Sequence, residues 1–193
     1  MTLFWRHRTS NGLLALLLAF SVLLATASQS AEPSVEYKLK AGFLFRFLAF
    51  TEWPEQRSSS NDDHILIGIL GNSPLSEVIG QIQGRTINDR IVEIKELDAN
   101  APTEELKKCW LLFIPTAQSA NLSHIIQKLK GSPVLVVTET LGTIPNEAMI
   151  TFIPISAKIG FNINKNNADQ VGIEFRSKLL RLATNAEQLY ADE

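Results

Sequence analysis

Three short runs in this 193-residue chain contain almost nothing suited to water: HILIGILG (64–71), CWLLFIP (109–115) and PVLVVTE (133–139). Each has the length of a β-strand, and none alternates apolar with polar residues. A strand of that kind is buried on both faces. Burial on both faces requires cover on both sides, which parallel sheets obtain from their crossover helices. The intervening segments read as those helices. NSPLSEVIGQIQG (72–84) has Ser73 as N-cap, Pro74 at the first helical position and Gly84 beyond the end. PTEELKK (102–108) has acids first and lysines last, as a helix dipole favours. SANLSHIIQKLKG (119–131) is amphipathic and ends at a glycine. RIVEIKEL (90–97) alternates and predicts a half-buried strand.

The last third has a different rhythm. AMITFIPI (148–155) and KIGFNIN (158–164) are separated only by Ser156-Ala157, which predicts an antiparallel hairpin. NKNNADQVG (164–172) predicts a short helix capped by Asn164. SKLLRLATNAEQLY (177–190) predicts one closing helix. Its apolar stripe is Leu179, Leu182, Ala183, Ala186 and Leu189, and Lys178, Arg181, Asn185 and Gln188 face water. The expected fold is α/β: a single three-layer domain with a mostly parallel sheet, a C-terminal antiparallel hairpin and flanking helices.

The N-terminus stands apart from that domain. Arg6, His7 and Arg8 precede the apolar block LLALLLAFSVLLA, and small residues follow it. This is the order of a secretory signal peptide, with Ala25 and Ala27 as an A-x-A site and cleavage after Ala27. The alternative is an uncleaved anchor, for which the block is short. No cysteine follows the block, so a lipid anchor is not indicated. The expected domains are 1–27, signal peptide, and 28–193, mature α/β domain in the periplasm. Removing the two arginines leaves 16 basic against 20 acidic side chains, a net charge of −4 with no basic stripe. That argues against a nucleic-acid partner. Cys109 is the only cysteine, so the exported chain has no internal disulfide and relies on its core.

Chemistry is sparse. His64 and His124 are far apart and neither belongs to a metal-spacing pair. Cys109 directly precedes a buried strand and reads as a small apolar filler. Asp62-Asp63 sits in a loop and Glu104-Glu105 at a helix start, where neighbouring acids do not face each other. No G-x-S-x-G, H-E-x-x-H, Walker loop or G-x-G-x-x-G occurs. Catalytic, metal and cofactor residues are therefore expected to be none. Gly71, Asn72 and Ser73 close a strand and open a helix, a place where backbone N–H groups can hold an anion.

The segments YKLKAGFLFRFLAFTEWP, ILIGILGNSPL, CWLLFIPT, GSPVLVVTE, IGFNIN and SKLLRLA follow one another across nearly the whole mature chain. In that order they resemble the YfiR family of small exported proteins. The resemblance implies a periplasmic α/β protein without enzymatic activity. It implies a partner, the periplasmic domain of a membrane-bound diguanylate cyclase or sensor kinase, whose restraint lowers cyclic-di-GMP signalling and biofilm formation. A second copy of the chain, as a homodimer, is a further candidate partner. Two departures stand out. PNEAMI occupies a place where many relatives have Gly-Gly, and Cys109 matches a cysteine that some members place in a disulfide, without a second cysteine here.

The opening helix is greasy on nearly every side, and Pro54 is expected to stop it. At 100° per residue, Tyr37, Leu39, Phe43, Leu44, Phe47, Leu48 and Phe50 make a wide arc for the core. Lys38, Gly42, Phe45, Arg46, Ala49 and Trp53 make the remaining sector. That sector either meets another protein or is covered by the closing helix or a loop of this chain. The expected partner-binding residues are Phe45, Ala49 and Trp53 here, with Asn162, Asn164 and Gln170 on the late strand and its exit. Asn162 should point away from Phe161 and Ile163. Two other functions compete. A periplasmic small-ligand sensor would use the strand-end crevice near Gly71, Asn72, Ser73 and Thr116. An enzyme would have to assemble its site from isolated residues.

Overall fold

The structure, a computed structural model, describes residues 35–58, 62–156 and 158–191. The signal segment, its cleavage position at Ala27 and Ala157 of the hairpin turn lie outside these residues. The elements follow in chain order: α1 (Val35–Ala49), β1 (Thr51–Glu52), α2 (Glu55–Ser58), β2 (His64–Leu70), α3 (Ser76–Ile79), β3 (Thr86–Ile87), β4 (Arg90–Leu97), α4 (Thr103–Leu106), β5 (Leu111–Ile114), α5 (Leu122–Lys128), β6 (Leu135–Glu139), β7 (Ile150–Ile155), β8 (Lys158–Ile163), α6 (Lys165–Asp169), β9 (Glu174–Phe175), α7 (Ser177–Leu180) and α8 (Ala186–Ala191).

Seven strands form one sheet in the order β3-β4-β2-β5-β6-β7-β8. The pairs β2/β4, β2/β5, β5/β6 and β6/β7 are parallel. The pairs β3/β4 and β7/β8 are antiparallel. β1 and β9 make a separate antiparallel pair. The fold expected from the sequence, α/β with a mostly parallel sheet and a late antiparallel hairpin, is the one observed. The three apolar runs supply β2, β5 and β6, where β5 and β6 are buried throughout.

Two apolar layers lie on either side of the sheet. One joins Ile67, Phe113, Val137, Phe152 and Phe161 to Leu44, Phe47 and Leu48 of α1. The other joins Leu70, Leu112, Ile114 and Val136 to Leu106 of α4 and to Leu122 and Ile125 of α5. Alternation along the strands sends neighbours to opposite layers, so Leu112 and Phe113 serve different helices. Gly68 of β2 has Cys109 packed on it: a Cβ there would sit 2.6 Å from the Cys109 sulfur.

Four local expectations need correction. α1 ends at Ala49, before Pro54, because Thr51 turns into β1 and pairs with Phe175. The Thr51 hydroxyl donates to the Phe47 carbonyl at 2.6 Å and satisfies the frayed end. Trp53 is thus beyond the helix. The loop expected at 55–63 opens with the short helix α2. The buried arc of α1 is Lys40, Ala41, Leu44, Phe47 and Leu48, rotated from the expected one, and leaves Leu39 52% exposed.

The closing helix is broken into α7 and α8, and Leu182 between them is exposed. The break has a cause in the sheet. β8 is an edge strand, and its outward backbone groups need partners. The Thr184 N–H donates to the Phe161 carbonyl at 2.8 Å. The Asn185 amide donates to the Ile163 carbonyl at 2.9 Å and accepts from the Ile163 N–H at 3.1 Å. Asn185 therefore pairs with the edge like a peptide group instead of facing water.

Candidate functional site

The carboxyl ends of the parallel strands open into a cavity of about 540 Å³. Open α/β sheets bind ligands at this end. Asn72 follows β2, Thr116 follows β5, and Glu139 and Thr140 close β6; Val35, Tyr37, Leu39 and Lys40 of α1 form one wall. Phe152, Pro154 and Ile159 of the hairpin also line it.

A buried ion pair lies in this cavity. Lys40 is only 5% exposed and Glu139 only 7%. The Lys40 ammonium donates to Glu139 Oε2 at 2.6 Å and to Glu36 Oε1 at 2.5 Å. It also lies 4.5 Å from the centre of the Tyr37 ring, a cation–π contact. Glu139 Oε1 accepts the Thr116 N–H at 3.2 Å. Burial pulls the Lys40 pKa down, but its hydrogen bonds to Glu139 and Glu36 outweigh that, and the net shift is upward. Burial, followed by the charge of Glu139, raises the Tyr37 pKa. Of the three residues expected to hold an anion, Asn72 lines the cavity. The Gly71 N–H is taken by the Leu97 carbonyl at 2.7 Å. Ser73 is buried, and its hydroxyl accepts the Leu75 N–H at 3.2 Å. Helix α3 begins only at Ser76, two residues later than expected, yet that bond is the one an N-cap at Ser73 would make.

The six expected partner-binding residues fall in two places. Phe45, Ala49 and Trp53 are half-buried against the α1 layer. The Arg85 guanidinium lies 4.2 Å from the Phe45 ring centre. Trp53 packs edge-on to Trp110 at 5.1 Å, and Arg57 and Arg90 stack on that same Trp110. Part of the sector is thus covered by loops of this chain. Asn162 alternates with Phe161 and Ile163, which belong to the α1 layer, so it points to the other side of the sheet. Asn162 is therefore on the face away from Phe45, Ala49 and Trp53, whereas Gln170 follows α6, whose Ala168 packs in the α1 layer. Asn162 and Asn164 line a second cavity of about 250 Å³ with Asn146, Asn185 and Gln188. Asn164 caps α6 by accepting the Asn167 N–H at 3.2 Å. Gln170 is exposed just past α6. Two buried polar atoms in these groups, Trp53 Nε1 and Asn162 Oδ1, make no hydrogen bond within the chain.

The sequence profile of the YfiR/HmsC-like family matches residues 37–184. The chain belongs to the YfiR/HmsC-like family. Members are periplasmic and are associated with regulation of membrane diguanylate cyclases. No curated protein matches the chain. Among the described residues, no helix is long and apolar enough to cross a membrane.

Cys109 is engaged in structure. Burial pushes the Cys109 thiol up to about 12, against the opposing charge of Arg57. Such a thiol keeps its proton at neutral pH and is a poor nucleophile. Arg57 donates to the carbonyls of Lys107, Lys108 and Cys109 at 2.9, 2.9 and 2.6 Å, closing the turn after α4. His64 is exposed beside Glu93 at 3.4 Å, and His124 is exposed on α5. Among the described residues, no three His, Cys, Asp or Glu side chains gather as a metal site would need. Sequence reasoning missed Lys40 and Glu139, which lie 99 residues apart. A signal for Lys40 exists: it falls in the spacing 37, 40, 41, 44, 47, 48, inside the apolar stripe.

Proposed function

We propose that this chain is exported, is cleaved after Ala27 and restrains a membrane-bound diguanylate cyclase by binding its periplasmic domain, lowering cyclic-di-GMP output without catalysing a reaction. The family supports the regulatory theme. The observation that carries a surface assignment is Asn162. Its Oδ1 is buried at a polar cavity and has no partner within the chain. Buried polar atoms in native proteins are nearly always paired, so an orphan beside a cavity fits a partner that supplies the donor. Asn162 and Asn164, which line one cavity, are one contact in this reading; Gln170 beyond α6 and the covered sector of Phe45, Ala49 and Trp53 are further contacts.

Pull-down with the purified periplasmic domain of the cyclase tests this. Asn162→Arg and Gln170→Arg should weaken binding while thermal melting stays close to wild type, because an unpaired charge is costly in a packed interface. Unchanged binding by both folded variants would overturn the placement. Absence of binding by the wild-type protein would overturn the proposed restraint.

A further inference from the structure

The strand-end cavity has features that regulation through Asn162 does not use. At about 540 Å³ it falls within the range of small-molecule sites, roughly 300–1,000 Å³. Its walls are apolar, from Leu39, Leu141, Phe152, Pro154 and Ile159. Its rim holds side chains that folding has left in water: Leu141 is 84% exposed and Leu39 52%. Exposed leucines flanking a cavity gain contact only when something fills it.

The polar groups select the chemistry. Two acids, Glu36 and Glu139, and two lysines, Lys40 and Lys158, line the cavity, so its formal charge is zero. Lys40 and Glu139 already neutralise each other at 2.6 Å. A charged head placed against Lys40 and Glu139 would have to displace one partner of that pair and leave the other buried alone, which is strongly unfavourable. A neutral head that both donates and accepts can add to the pair without breaking it. The ammonium has three donors and the carboxylate about four acceptor positions, more than the described bonds use. We propose that this cavity binds a small molecule with an apolar, flat or branched body and a neutral amide-like head placed against Lys40 and Glu139. The apolar body covers Leu39 and Leu141. This site is distinct from the Asn162 contact, so a ligand there is an independent input to the protein.

Three probes sharing one apolar body separate the possibilities: 2-naphthamide, 2-naphthoate and 2-naphthylmethylammonium. Each is titrated into the full mature protein by calorimetry. The amide should bind with one site per chain, about tenfold or more tighter than either ion. Leu39→Glu and Leu141→Glu, at exposed positions that leave the core intact, should weaken amide binding by about tenfold or more. Leu182→Glu, an exposed leucine that does not line the cavity, should leave it unchanged. Failure of the amide to bind, tighter binding of either ion, or equal loss in the Leu182 variant would each overturn the proposal.

Discussion

Replacing Phe47 with alanine removes the side chain on which the α1 layer converges. Phe47 has no exposed surface, and its ring centre lies 4.9 Å from Phe161, 5.4 Å from Phe152 and 6.0 Å from Phe43. A Phe→Ala change in a core costs about 3–5 kcal/mol. Three rings on two strands and one helix cannot easily collapse into the space, which places Phe47 toward the upper part of that range. Phe45 is half-buried and meets Arg85 at 4.2 Å. Its alanine variant loses a partly exposed cation–π contact of about 0.5–1 kcal/mol and about half of a side chain's burial, roughly 1 kcal/mol. The expected loss is therefore about 1–2 kcal/mol. Urea midpoints at constant slope measure both. Phe47→Ala should lie well below Phe45→Ala. Equal losses would mean that α1 is buried all round, and the assignment of Phe45 to a separate sector would be refuted.

Three further outcomes are expected. Lys40→Met should cost about 3–5 kcal/mol because it leaves Glu139 buried without its cation, and Lys40→Met with Glu139→Gln should recover most of that loss; additive losses in the double-mutant cycle would show that the pair is not coupled. The Cys109 proton is held more tightly folded than unfolded, so its contribution is complete below the unfolded pKa near 9 and declines toward about 12. Stability should fall by up to about 1.4 kcal/mol per pH unit across that window, and Cys109→Ala should flatten the slope. Intact mass of the protein from a periplasmic extract should correspond to a chain beginning at Ser28, whereas a retained Met1 in the membrane fraction would contradict cleavage.

The strands were readable because burial on both faces leaves a local trace: a run such as CWLLFIP has few other uses in a chain with this many charges. The late hairpin was readable from its two-residue connection, and the Asn164 cap from its place before a short helix. What escaped depends on neighbours distant in sequence. Asn185 looks like a solvated residue until the open edge of β8 lies beside it, and only then does the broken helix make sense. Thr51 looks helical until Phe175 pairs with it. Lys40 falls inside an apolar stripe and Glu139 closes an apolar run, but nothing in the sequence pairs them, and only the packing of α1 on the sheet brings them to 2.6 Å. The orphan Asn162 oxygen depends equally on the packing around it, although alternation along the strand gave its direction.

Cellular cyclic-di-GMP, measured after deletion of this gene and after its return on a plasmid, tests the proposed restraint most directly. Deletion should raise cyclic-di-GMP, the wild-type gene should restore the low level, and the Asn162→Arg gene should not, while its product is present in the periplasm at the wild-type amount. An unchanged level after deletion would contradict the regulatory account.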